Sequence, residues 1–84
     1  MNEKYLEDLI EEFLKIKDKK VMRNFLMGLF TEQELEEIPT RIQIVKMIKK
    51  GLPQQKIAEK LGIGVATVTR GSKEIQKGRF INIK

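Results

Sequence analysis

The sequence predicts an all-α fold, a small helical domain organised around a helix-turn-helix. Three observations predict it. Apolar residues recur with a 3.6-residue period through successive stretches of the chain. Helix start and stop signals fall between those stretches: Asp18, the Thr31-Glu32-Gln33-Glu34 run, Gly51 and Gly78. Residues 54–71 read QQKIAEKLGIGVATVTRG, the pattern of two helices joined by a tight turn.

The elements follow in order. Residues 3–17 form the first helix, with Leu6, Leu9, Ile10, Phe13, Leu14 and Ile16 as its apolar stripe. Glu3, Glu7, Asp8, Glu11 and Glu12 take the other faces; early acids and late Lys15 and Lys17 suit the helix dipole. Asp18 is the N-cap of a second helix whose Val21, Phe25, Leu26 and Leu29 face inward. Thr31 to Glu34 is a capping box that opens a third helix running to about Lys50. Its apolar positions are Leu35, Ile38, Ile42, Val45 and Ile48. Pro39 lies inside it and is expected to kink the helix or split it in two, because proline lacks the N–H of the helical ladder.

Gln54–Leu61 and Val65–Lys77 are the helix-turn-helix pair. Ile57, Leu61, Ile63 and Val68 form the side that packs them together, and Ala58 stands where the helices cross closely. Gly62 sits at the turn, where a positive φ is cheap for glycine alone. Gly78 ends the last helix, and residues 79–84 read as an extended tail with Ile81 and Ile83 docked on a neighbour. The chain is thus read as a single domain, 1–84: dimerisation and core helices at 1–50, the motif at 54–77 and the tail at 79–84.

Composition narrows the function. The chain has neither cysteine nor histidine, which removes disulfides, the commonest zinc ligands and the commonest general base. The expectation is that it is no enzyme and holds no metal or cofactor. No apolar run approaches the ~20 residues of a membrane span and no signal-peptide pattern opens the chain, so a cytoplasmic location without membrane partners is expected. Charge is segregated: residues 1–40 carry six basic and ten acidic side chains, and residues 41–84 carry eleven basic and two acidic. The basic half is the half with the motif. Such a face suits a polyanion, since neutralised phosphates release condensed counterions; a solubilising lysine surface is the bland alternative.

The start of the second motif helix is placed to enter a major groove of double-stranded DNA. Val65 and Ala66 are candidates for thymine methyl contacts, and Thr69 for base edges, directly or through water. Gln55 and Lys56 are candidates for base or phosphate contacts, and Lys73, Lys77 and Arg79 for backbone anchoring. Thr67 reads either as a DNA contact or as a capping or packing residue. The broad apolar stripe of the first helix calls for a partner, and a two-fold dimer would cover it while presenting two recognition helices.

At Thr31-x-x-Glu34, at Thr40-Arg41-x-x-Ile44-Val45, at Gly51 and above all at Leu61–Ser72, LGIGVATVTRGS, the chain resembles the tryptophan repressor family over roughly residues 21–75. The resemblance implies an intertwined, all-helical homodimer that represses transcription at an operator, with L-tryptophan as corepressor. It further implies that Arg41 and Arg70 hold the indole between guanidinium planes and that Arg70 pairs with the ligand carboxylate, to which Thr31 adds a hydroxyl. Carbonyls around Gly28 and Phe30 of the partner subunit would take the ammonium, Gly71 would give the ring room, and Val45 would line the floor. Each residue has a plainer role open to it: surface or phosphate charge for the arginines, helix packing for Gly71, capping for Thr31, core for Val45.

Three features depart from the family pattern. Glu74 stands where the family has a serine that meets the ligand amine; its carboxylate would either pair with the ammonium or neutralise Arg70. Pro39 replaces a flexible position, and the resemblance fails after Gly78, where the family usually has one more helix. Two alternatives stand beside the repressor reading: a ligand-independent DNA-binding regulator of the same fold, and a protein-interaction module without DNA binding.

Overall fold

Five helices and no strand make up the computed structural model, which describes all residues from Met1 to Lys84. The helices are α1 (Glu3–Lys15), α2 (Lys19–Leu29), α3 (Glu32–Lys49), α4 (Gln54–Leu61) and α5 (Val65–Gln76). Their contacts divide the chain into two compact units, Met1–Leu35 and Glu36–Lys84, with the boundary inside α3.

The first unit is assembled from side-chain caps. Asn2 accepts from the Tyr5 N–H at 3.0 Å and starts α1. Asp18 accepts from the Val21 N–H at 3.0 Å and starts α2. Helix α1 stops at Lys15, two residues short of the sequence expectation. Ile16 is already extended (φ −82°, ψ 120°), because Asp18 must itself be extended to cap the next helix. Phe13 and Phe25 meet edge to face with ring centroids 5.3 Å apart. Neither helix has a buried residue: of the four residues expected to face inward from α2, Phe25 and Leu26 are half-buried, whereas Val21 and Leu29 are exposed. The capping box is reciprocal, with the Thr31 hydroxyl accepting from the Glu34 N–H (3.2 Å) and the Glu34 carboxylate from the Thr31 N–H (2.9 Å).

Pro39 does not split α3, which runs as one helix from Glu32 to Lys49. The ring costs the bond that residue 39 would have given to the Leu35 carbonyl. The helix resumes at once, and the Thr40 hydroxyl donates to the Glu36 carbonyl at 2.7 Å. Its next turns are anchored by Ile44 and Val45, each 1% exposed.

The second unit packs α4 and α5 against the rest of α3. Ile44, Ile57 and Val68 form the core, flanked by Met47, Ile48, Leu52, Ala58, Leu61 and Ile63. The apolar side expected for the motif is therefore the one that is buried. Gly62 adopts φ 65° and closes α4: its N–H bonds to the Glu59 carbonyl, and the Ile63 N–H to that of Ala58. Gly51 ends α3 in the same way.

The C-terminus differs from the extended tail expected. Residues 77–82 form consecutive turns. Gly78 (φ 80°) bonds to the Ile75 carbonyl and Arg79 to that of Glu74, folding the chain back. The Lys49 ammonium then donates to the carbonyls of Phe80 and Ile83. The Phe80 carbonyl also accepts from the Ile83 N–H, and the lysine adds a charged donor to both tail carbonyls. Ile83 is half-buried, but Ile81 is exposed and does not dock beside it.

Candidate functional site

Helices α3 and α5 carry the candidate side chains along a shared groove. A cleft of about 890 Å³ is lined by Glu36, Glu37, Thr40, Arg41 and Ile44 of α3, by Leu61 and Ile63 at the motif turn, and by Ala66, Thr67 and Arg70 of α5. A smaller cavity of about 250 Å³ shares Arg41, Ile44, Thr67 and Arg70 with it and adds Val45, Gly71, Glu74 and Phe80. The residues at 41, 44 and 45 lie along one side of α3, and those at 67, 70, 71 and 74 along one side of α5, as the helical spacing of three and four requires. Two guanidinium groups therefore stand over an apolar floor. Arg41 is also 4.0 Å from the Glu37 carboxylate, one turn earlier.

Five of the ligand-site residues expected from the sequence, Arg41, Val45, Arg70, Gly71 and Glu74, line this smaller cavity. Gly28, Phe30 and Thr31 belong to the first unit. The Thr31 hydroxyl is occupied as a helix cap, and Val45 is core as well as cavity floor. Gly71 has a packing reason for lacking a side chain: a Cβ there would lie 3.0 Å from Ile44 Cγ2.

Glu74 does not close on Arg70. Its carboxylate reaches Lys77 at 3.3 Å and Arg79 at 3.5 Å. The hydrogen bond from Lys77 holds the Glu74 carboxyl below its ordinary value; partial burial opposes this, and the nearby charges of Lys77, Arg79 and Arg70 add to the lowering. A carboxyl lowered on folding stabilises the fold above its unfolded pKa, and that contribution fades as pH falls through the folded value.

Val65, Ala66, Thr67 and Lys73 of α5 are exposed, Ala66 and Thr67 while also lining the cleft, as are Gln55 and Lys56 of α4 and the C-terminal Lys77 and Arg79. Thr69 is half-buried, and its hydroxyl lies 2.7 Å from Gln54 Oε1 and 3.1 Å from the Val65 carbonyl. That hydroxyl is spent on fixing α4 to α5. The pattern of the sequence missed Gln54 as its partner, and missed Phe80, Thr40, Glu36 and Glu37 as cavity walls. Helical spacing finds the last three after the fact, since Thr40 precedes Arg41 by one residue, Glu37 precedes Arg41 by one turn and Glu36 precedes Thr40 by one turn; nothing local signals Phe80.

A family model described as Trp repressor protein matches residues 4–80 of the chain. The chain belongs to the Trp repressor family. Among curated relatives, the Trp operon repressor homolog of Vibrio vulnificus (strain YJ016) is 37% identical over 70 residues, covering 82% of this chain and 66% of the relative. That of Vibrio campbellii is 34% identical over 71 residues, covering 83% and 71%. That of Photobacterium profundum is 45% identical over 49 residues, covering 57% and 48%. The chain thus spans about two thirds or less of the length of several Trp repressor relatives that it matches. No solved structure gives a significant match. The relatives' names describe transcriptional regulators and no enzyme. No helix of the chain is long and apolar enough to cross a membrane.

Proposed function

We propose that this chain is a homodimeric, sequence-specific DNA-binding repressor that uses L-tryptophan as corepressor. The observation that carries the reading is the placement of Arg41 of α3 and Arg70 of α5 around one cleft over Ile44, with Arg70 on the helix that exposes Val65, Ala66 and Lys73. Guanidinium planes stack on aromatic rings and fork onto carboxylates, so two of them beside an apolar floor suit an aromatic amino acid. The cleft of about 890 Å³ lies in the range of small-molecule sites. The relatives' name, Trp operon repressor homolog, agrees with a repressor of tryptophan-linked genes.

In this mechanism the amino acid lodges between α3 and α5 and braces α5 in the orientation that fits a major groove. Two such helices in a dimer read successive grooves ~34 Å apart. Ligand-dependent repression then requires only that tryptophan bind the braced state better than the unbraced one. The exposed lysines supply the phosphate contacts, and the small side chains at the start of α5 leave much of the discrimination to DNA shape.

The test uses the ligand's own indole fluorescence, because the chain contains no tryptophan and one tyrosine. Anisotropy of L-tryptophan should rise saturably with added protein, to one ligand per chain, with competition by indole analogues and none by leucine. Arg70→Ala should abolish this binding and any tryptophan dependence of DNA binding. Binding that survives the substitution would show that the ligand lies elsewhere; no binding by the native chain at millimolar ligand would leave a ligand-independent regulator.

A further inference from the structure

We propose that Glu74 is an exchangeable counter-ion that couples the ligand cavity to the DNA-facing cations at the end of α5. The inference rests on the repressor reading and adds to it a route by which the ligand changes the charge offered to DNA.

Four observations carry it. Glu74 is one of only two acidic residues in the basic half of the chain, the other being Glu59. It is the one acid in the wall of the smaller cavity, which it shares with Arg41, Arg70 and Gly71. Its two carboxylate oxygens are divided between two cations, Oε1 to Lys77 and Oε2 to Arg79. The turn at Gly78 is what returns Arg79 to Glu74, through the Arg79 N–H on the Glu74 carbonyl. The same carboxylate therefore faces a ligand cavity and ties up two side chains suited to phosphate.

Such pairs are easily exchanged. The Lys77 and Arg79 side chains are 59% and 67% exposed, and exposed ion pairs are weak. An α-amino acid in the cavity brings an ammonium group, and its carboxylate occupies the guanidinium groups. Within the smaller cavity the ammonium finds Glu74 as its one anionic partner. The larger cleft adds Glu36 and Glu37, of which Glu37 already faces Arg41. When Glu74 turns to the ammonium, Lys77 and Arg79 are released to DNA phosphates. Without the ligand, Glu74 cancels part of the charge on which DNA binding depends.

The experiment measures binding of the full chain to a fluorescein-labelled mixed-sequence DNA duplex across a potassium chloride series, with and without saturating L-tryptophan. Tryptophan anisotropy is read on the same preparations. For the native chain, the slope of log K against log [salt] should steepen with tryptophan by about 0.9 for each released cation, hence by up to about 2. Glu74→Gln should show the steeper slope without tryptophan and no further change with it. Glu59→Gln, which removes the other acid of the basic half, lies in neither cavity wall and leaves the counter-ion in place, should show the same tryptophan-dependent change of slope as the native chain. Tryptophan binding with an unchanged native slope, or a tryptophan-dependent slope that persists in Glu74→Gln, would overturn the coupling and leave the repressor reading standing. Absence of tryptophan binding to the native chain would overturn both.

Discussion

At the scale of the residue, Gly71 separates two roles that the sequence left open. Its missing side chain lets α5 lie close to α3, with Ile44 Cγ2 only 3.0 Å from where a Cβ would stand. Ile44 is buried and β-branched on a helix, so its rotamer has little freedom to yield. Gly71→Ala should therefore lose more from overpacking, about 1–3 kcal/mol, than the ~1 kcal/mol it gains in helix propensity. The expected net loss is about 1 kcal/mol by urea denaturation. Unchanged or raised stability would show that Ile44 can move, and would leave room for a ligand ring as the reason for glycine. Glu74 shows where residue-level reading stops. Its type and position were legible, but the partner expected beside the ligand was Arg70, and Glu74 pairs with Lys77 and Arg79 instead. The pairing with Arg79 was not legible, because it depends on the turn at Gly78 that brings Arg79 back. Lys49 is a stronger case: its carbonyl partners lie 31 and 34 residues away, and no local pattern announces them.

Among the elements, those with local causes were the readable ones. The caps at Asp18 and Thr31 act over three residues, and the Gly62 turn acts over five, so sequence spacing captures them. The motif pair was legible for the same reason, since Ile57, Leu61, Ile63 and Val68 meet at helical spacing around one tight turn. Helix α3 ends at Lys49, beside the expected Lys50, and of the two outcomes expected at Pro39 the split did not occur, because packing overruled a local rule. Pro39 removes a bond to Leu35, yet Ile44 and Val45 hold the following turns in helical geometry. The lost bond and the ring clash still carry a cost. Pro39→Ala restores the donor, worth about 3 kcal/mol in a helix interior. It also gives back to the unfolded chain up to ~1 kcal/mol of conformational entropy. A net gain of about 2 kcal/mol in unfolding free energy is expected. No gain in a chemical denaturation series would mean that α3 has relaxed around the ring at no cost.

For the whole molecule, the balance of apolar surface decides the state of association. Four side chains form the fully buried set, Ile44, Val45, Ile57 and Val68, and all of them lie in the second unit. Helices α1 and α2 bury nothing completely, while Tyr5, Leu14 and Val21 are 73%, 73% and 54% exposed. An amphipathic helix of this kind gains most of its stability from covering its apolar face, and 84 residues supply little with which to cover it. Association with a second copy follows as the expectation, and with it a coupling of folding to concentration. The melting temperature of the native chain should rise with protein concentration, because a dimer that forms only from folded chains draws the equilibrium toward folding. Sedimentation should give twice the 9.8 kDa chain mass at micromolar concentrations. Leu14→Asp places a charge on the exposed apolar stripe of α1, where a partner must desolvate it. That variant should sediment as the single chain at concentrations where the native protein is dimeric, and its melting temperature should no longer depend on concentration. A native chain that sediments at 9.8 kDa with a concentration-independent melting temperature would rule out the dimer. It would also remove the two-fold arrangement through which a pair of recognition helices reads an operator.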